Sequence, residues 1–187
     1  QQVYDENGQP RFGEFVDRNA DGVIDYKDRY FYKKSDPDVT MGLSTKLTYK
    51  NWDLGLGFRA SLNNYAYNGV EAGDNMNTGM SRLYSGNTWH NTFKNELAKD
   101  WTSSSANASC SDYFIQNASF LKLDNITLGY SFNHIGKSKI NGRVYATAQN
   151  VFTITKYKGL DPEIDGGYDN NVYPRPFTGI LGVSLNF

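Results

Sequence analysis

The chain has 187 residues, a formal net charge of −1, one cysteine and two histidines. The near-neutral charge gives no electrostatic footprint for nucleic acid, the lone Cys110 excludes an internal disulfide and a multi-cysteine zinc site, and His90 and His134 leave little material for zinc or histidine-based catalysis. Aromatic residues reach 15%, with 14 Tyr and 11 Phe, while the mean hydropathy is −0.63, an odd pairing for a cytoplasmic enzyme.

The chain opens Gln1-Gln2-Val3-Tyr4, which resembles neither a translation start nor an export signal, so it reads as a mature product or a fragment. Residues 17–28 carry the first motif. Asp17, Asn19 and Asp21 hold positions one, three and five of a calcium-type loop, and Gly22 supplies the sharp turn at six. Val23 would offer its carbonyl, Asp25 would ligate directly or through water, and Asp28 stands where a longer glutamate is usual. Alternate acidic side chains on a tight turn supply the converging oxygens that calcium or another hard divalent cation needs. The flanks, 14–16 and 29–32, look extended, so the loop is expected to brace structure rather than work as a helix-loop-helix sensor. The competing reading is an Asp/Asn/Gly turn in which Asp17 caps backbone amides.

Strand signals begin at Val39. Over 39–50, Met41, Leu43, Thr45, Leu47 and Tyr49 take one parity and Thr40, Gly42, Ser44, Lys46 and Thr48 the other. Over 52–64, Trp52, Leu54, Leu56, Phe58, Ala60 and Leu62 oppose Asp53, Gly55, Gly57, Arg59, Ser61 and Asn63. Only Lys50-Asn51 separates the two, which predicts a tight hairpin. Each strand has ten or more residues, the length a tilted membrane strand needs. Residues 65–118 form a very long connection. Within it Trp89, His90, Trp101 and Tyr113 sit among Asn and Ser, and aromatic faces with amide neighbours can stack on sugars and hydrogen-bond them. Trp89, Trp101 and Tyr113 are therefore the candidate substrate contacts, against packing of the loop on itself or on a partner.

A third strand is expected over 119–132, with Ile126, Leu128, Tyr130 and Phe132 in one stripe. Lys122 and Asp124 share that parity, which predicts that this end projects beyond an apolar layer. Residues 133–139 read as a short turn. A fourth strand follows over 140–152, where Val144, Ala146 and Ala148 oppose Arg143, Tyr145, Thr147 and Gln149. Residues 153–175 are another long loop, whose Asp161, Glu163, Asp165 and Asp169 read as a solvated loop or a second cation site. The last strand, 177–187, puts Phe177, Leu181, Val183, Leu185 and Phe187 on one parity, with Ile180 the exception on the other. A strand that ends on a terminal aromatic is typical of outer-membrane barrels, whose apolar face meets lipid and whose polar face meets a wet lumen. No apolar run approaches the roughly 18 residues of a membrane helix, but barrel strands hide their apolar residues by alternation. Short turns alternating with long loops match periplasmic turns and extracellular loops.

Four segments carry a resemblance: DRNADGVIDYKDR (17–29), ASFLKLDNITLGY (118–130), RVYATAQNVFTITKYKGLDPE (143–163) and YPRPFTGILGVSLNF (173–187). Together they resemble the C-terminal region of SusC-like TonB-dependent transporters, outer-membrane importers of glycans and peptides. The fold class that follows is all-β: the last five or so strands of an antiparallel transmembrane β-barrel of about 22 strands, with residues 1–37 as an extracellular loop and 38–187 as barrel strands. The resemblance implies import of oligosaccharides or peptides without catalysis. It also implies a plug and further strands elsewhere in the same transporter, a SusD-like lipoprotein lid, energy through TonB, outer-membrane lipid around the wall, and a dimer of transporter-lid complexes. The C-terminus would be periplasmic. The alternatives are a secreted, calcium-braced β-sandwich that binds glycan, and a secreted hydrolase with an acid pair.

Overall fold

Alternation of apolar and polar residues over 39–62, 120–132, 141–155 and 178–186 produces five long strands, because period-two patterning presents one apolar face only in an extended chain. The computed structural model describes residues 1–76, 84–85, 88–89, 110–133 and 140–186. In chain order its elements are β1 (Gln2–Tyr4), β2 (Pro10–Phe15), β3 (Val39–Tyr49), β4 (Trp52–Leu62), β5 (Tyr65–Asn68), α1 (Gly69–Met76), β6 (Tyr84–Ser85), β7 (Thr88–Trp89), β8 (Ile115–Asn117), β9 (Phe120–Phe132), β10 (Asn141–Thr155), β11 (Tyr168–Asp169) and β12 (Thr178–Asn186). Among the described residues no helix is long and apolar enough to cross a membrane. The terminal Phe187 and residues 134–139 lie outside the described residues.

The chain divides into two compact units. One is an antiparallel sheet in the order β12-β10-β9-β4-β3. Its hairpin β3–β4 turns at Lys50, whose φ of 54° is the left-handed conformation a tight turn requires. Register puts Tyr49 opposite Trp52, Trp52 opposite Tyr130, Tyr130 opposite Val144, and Val144 opposite Val183. Directly opposed residues share a face, so the apolar residues of all five strands line up on one side.

Two register shifts correct one expectation. Gly57 pairs with Asn125 but Phe58 pairs with Leu123, so Asp124 is an extra residue in β9. Beyond Gln149, paired with Asn125, the next β10 partner is Phe152, paired with Leu123. There Asn150 takes φ 52°, the backbone of a β-bulge. A bulge shifts side-chain parity by one. Leu121 and Leu123 therefore join the apolar face, while Lys122 pairs with Arg59 on the polar face and is 3% exposed. Lys122 and Asp124 do not lie on the apolar stripe, and the face stays apolar to the end of β9.

The second unit comprises Gln1–Asp36, Tyr65–Asn117 and Lys158–Val172. Segments expected as featureless loops carry short elements. A two-stranded sheet joins β1 and β2, and a three-stranded sheet runs in the order β11-β5-β8. In the latter β5 is antiparallel to β8 and parallel to β11. Phe114 is fully buried and takes edge contacts from the rings of Tyr67 and Tyr113. Tyr67 also stacks on Tyr168, with centroids 5.3 Å apart.

Candidate functional site

The sheet is the feature with functional content, because its two faces differ along their whole length. On one face lie Met41, Leu43, Leu47, Leu54, Leu56, Leu128, Val144, Leu181, Val183 and their row partners. Leu181 is 86% exposed and Leu43 is 62% exposed. In a water-soluble fold this much adjacent apolar surface would be buried. Tyr49, Trp52 and Tyr130 form an aromatic row at the hairpin end, with the Trp52 and Tyr130 rings 4.9 Å apart. Such a row is what an interfacial girdle requires.

The opposite face is polar and cross-linked. Arg143 reaches Asp53 with two parallel bonds, Nε to Oδ1 at 2.9 Å and Nη2 to Oδ2 at 2.5 Å. They cross β9 at Gly129, where a Cβ would stand 2.5 Å from Asp53 Oδ1. Glycine keeps that passage open. Arg59 makes a second two-pronged pair, through Nε and Nη2, with Asp124, the bulge residue. The charge pair thus ties the bulge to β4. Thr127 and Thr147 share a hydroxyl bond at 2.8 Å between the two pairs.

In the loop unit the acidic motif is an intramolecular amide-capping network. Asp17 accepts from the amides of Ala20 and Gly22, both at 2.7 Å. Asn19 accepts from Asp21 N at 3.1 Å, and Asp21 from Val23 N at 2.9 Å. Asp25 caps a 3-10 turn, Tyr26–Asp28, by accepting from Lys27 N. Asp28 accepts from Arg18 N and Asp25 N at 2.8 and 2.9 Å. The Asp25 and Arg18 amides hold the Asp28 carboxyl below its ordinary value. Its contribution is therefore present above the usual carboxylate range and fades as pH falls through the depressed value. Among the described residues no three His, Cys, Asp or Glu side chains gather in a metal-binding group. The Lys27 ammonium lies 3.8 Å from Asp21 and 4.0 Å from Asp25.

Trp89 falls in β7, where its backbone pairs with Tyr84. Trp101 and His90 lie outside the described residues. Tyr113 sits in a 3-10 turn, Asp112–Phe114, packed edge-on to Phe114. Asp161 and Asp169 are buried rather than solvated. Asp161 accepts from Glu163 N, and Asp169 from Val172 N.

Sequence reading missed Asp112, which accepts from Gln2 N at 2.8 Å and from the Tyr30 hydroxyl at 2.7 Å. Burial, and then the hydrogen bond to Asp112, push the Tyr30 phenol up to about 12. That contribution is complete below the ordinary tyrosine value and is lost as pH rises toward 12. Nothing local marks Asp112, because its partners lie 110 and 82 residues away.

Long antiparallel strands with one exposed apolar face, an aromatic row and a polar, ion-paired reverse face define a segment of the outer-membrane β-barrel class. No protein-family model matches the sequence. Over 191 residues, covering 100% of this chain and 19% of the relative, it is 52% identical to "TonB-dependent receptor SusC" of Bacteroides thetaiotaomicron. It is 27% identical to "TonB-dependent receptor P3" of Formosa agariphila, over 92% of this chain and 19% of that protein. A solved structure of the RagAB peptide transporter superposes with a TM-score of 0.65 at 27% identity, over 83% of this chain and 18% of that one. Over its whole length the chain matches a SusC-like C-terminal region, and it spans about a fifth of the length of these relatives.

Proposed function

We propose that the sheet forms the closing part of the barrel of an outer-membrane importer. The carrying observation is the continuous apolar face across five strands, exposed on every strand of the sheet. Ten residues of β4 at about 3.4 Å rise, tilted about 40°, span about 25 Å, the height of a barrel's apolar band. That face meets lipid, and the face with Asp53, Arg143, Arg59 and Asp124 meets the lumen. The hairpin end is periplasmic and the Gln1–Asp36, Tyr65–Asn117 and Lys158–Val172 segments are extracellular. The rest of the barrel, a plug, TonB coupling, a SusD-like lid and a dimer of such complexes belong to the same reading. Neither the secreted β-sandwich nor the hydrolase has support, since the similar proteins are receptors and transporters.

For cargo we propose an oligosaccharide, taken up without chemistry. The peptide reading is supported by the likeness to the RagAB peptide transporter. Cells whose transporter gene is deleted and restored are expected to regain uptake of labelled oligosaccharides. Restoration of peptide uptake alone would replace the sugar with a peptide.

We also propose that the 17–28 loop binds calcium or a similar hard cation as a brace. Each amide-capping carboxylate oxygen keeps a second lone pair for an ion, and the cation would take the place that the Lys27 ammonium holds beside Asp21 and Asp25. Calcium is expected to raise the resistance of this loop to proteolysis in the full-length transporter, and Asp17→Asn with Asp21→Asn is expected to remove the effect. Equal resistance with calcium and with chelator would leave the amide network as the whole explanation of the motif.

A further inference from the structure

The loop unit contains a pocket of about 340 Å³, lined by Asn68, Val70, Glu71, Lys158, Leu160 and Val172 among others. This is the low end of the size range of small-ligand sites, about 300–1,000 Å³. Its floor is charged. Glu71 stands in the first turn of α1 and is 8% exposed. Asn68 accepts from Glu71 N at 2.9 Å, which caps the helix start. In return Glu71 Oε2 accepts from Gln116 Nε2 at 2.5 Å and, weakly, from Asn68 Nδ2 at 3.5 Å. Both side-chain contacts of Glu71 thus fall on one oxygen, Oε2. Among the described residues Oε1 accepts no hydrogen bond, although it belongs to a carboxylate more than nine-tenths buried on the pocket wall.

A carboxylate oxygen buried without a hydrogen-bond partner costs free energy, and an incoming donor relieves it. Asp169 and Lys158 also line the pocket. Val70, Leu160 and Val172 give the pocket an apolar side, and Leu160 and Val172 are exposed at 71% and 38%. An apolar side next to the buried Glu71 carboxylate matches a side chain that buries its methylenes and carries a cation at its tip.

We infer that this pocket takes a cationic group on an apolar stem, a lysine- or arginine-type side chain of a peptide segment, with Glu71 Oε1 as the acceptor. The inference goes beyond the transport reading, and its readout is binding, which needs no membrane or uptake.

The test uses the full-length transporter in detergent, with Nα-acetyl-lysine methylamide as probe and its norleucine counterpart as the uncharged control, followed by calorimetry. Glu71→Gln keeps the Gln116 contact and is expected to weaken the lysine probe about tenfold, equivalent to about 1.4 kcal/mol, while leaving the norleucine control unchanged. Val172→Trp keeps Glu71 in place, fills the pocket, and is expected to abolish lysine-probe binding. Equal affinity for the two probes, or lysine binding unaffected by both substitutions, would overturn the inference. Lysine-probe binding retained in the assembled complex identifies a free peptide as the source of the cation, and with it a peptide cargo in place of the oligosaccharide. Binding that appears only after partner proteins are stripped away identifies a partner's side chain.

Discussion

Replacing Leu128 with arginine is expected to cost the full-length transporter about 1–2 kcal/mol of folding stability in a bilayer, between the penalty of about 2–4 kcal/mol for a cation at the lipid-facing midplane of a barrel and the small cost at its interfaces. Leu128 lies in the row Leu47–Leu54–Leu128–Ala146–Leu181, one row in from the aromatic residues, and is 46% exposed. An arginine there would have no paired charge on its own face. Ser44→Arg, on the opposite face of β3, is the control. Its side chain enters a polar surface, and the expected change is within about 0.5 kcal/mol. Urea titration in liposomes, read by heat-modifiable gel migration, gives both numbers. A Leu128→Arg effect as small as that of Ser44→Arg would mean that the apolar face does not contact hydrocarbon.

Gly69→Ala is expected to destabilise the loop unit by about 1–3 kcal/mol, the usual cost of forcing atoms into a packed site. A Cβ at Gly69 would stand 2.5 Å from the carbonyl oxygen of Asp169. That oxygen belongs to the backbone and cannot swing aside as the tip of a long side chain does. The clash falls where β5 runs parallel to β11 with Asn68 opposite Asp169, and it would part the two strands. Hydrogen exchange should then show lost protection in β5 and β11 with the five-stranded sheet unchanged. Gly42→Ala supplies the contrast, because a Cβ there meets nothing within 4 Å. Equal protection in both variants would show that the close approach at Gly69 is not held in solution.

The strands were legible because alternation is a local signal. Each of the five appears within a few residues of its predicted place, and β10 runs on to Thr155 where the pattern suggested an earlier end. The bulge was not legible. Asp124 and Lys122 look like an apolar stripe turning polar, and only pairing with Gly57 and Phe58 shows that one residue is extra.

The loop unit was hidden for a different reason. Gln2 to Asp112, and Gln116 to Glu71, are contacts between distant segments, and no periodicity announces them. The acidic run after Thr155 suggested a solvated loop because composition cannot distinguish an exposed aspartate from one that caps a buried turn. Asp161 and Asp169 are of the second kind. The 17–28 motif was legible as a set of oxygens on a tight turn, and the structure adds the amide partner of each carboxylate.

The central claim is that one face of the sheet meets lipid and the other meets water. Spin labels placed one at a time from Thr40 to Tyr49, in the full-length transporter in liposomes, test it most directly. The account predicts oxygen accessibility peaking at Met41, Leu43, Leu47 and Tyr49, and accessibility to a water-soluble nickel chelate peaking at Thr40, Gly42, Ser44, Lys46 and Thr48. Accessibility to the chelate at every position, with no period of two, would contradict it.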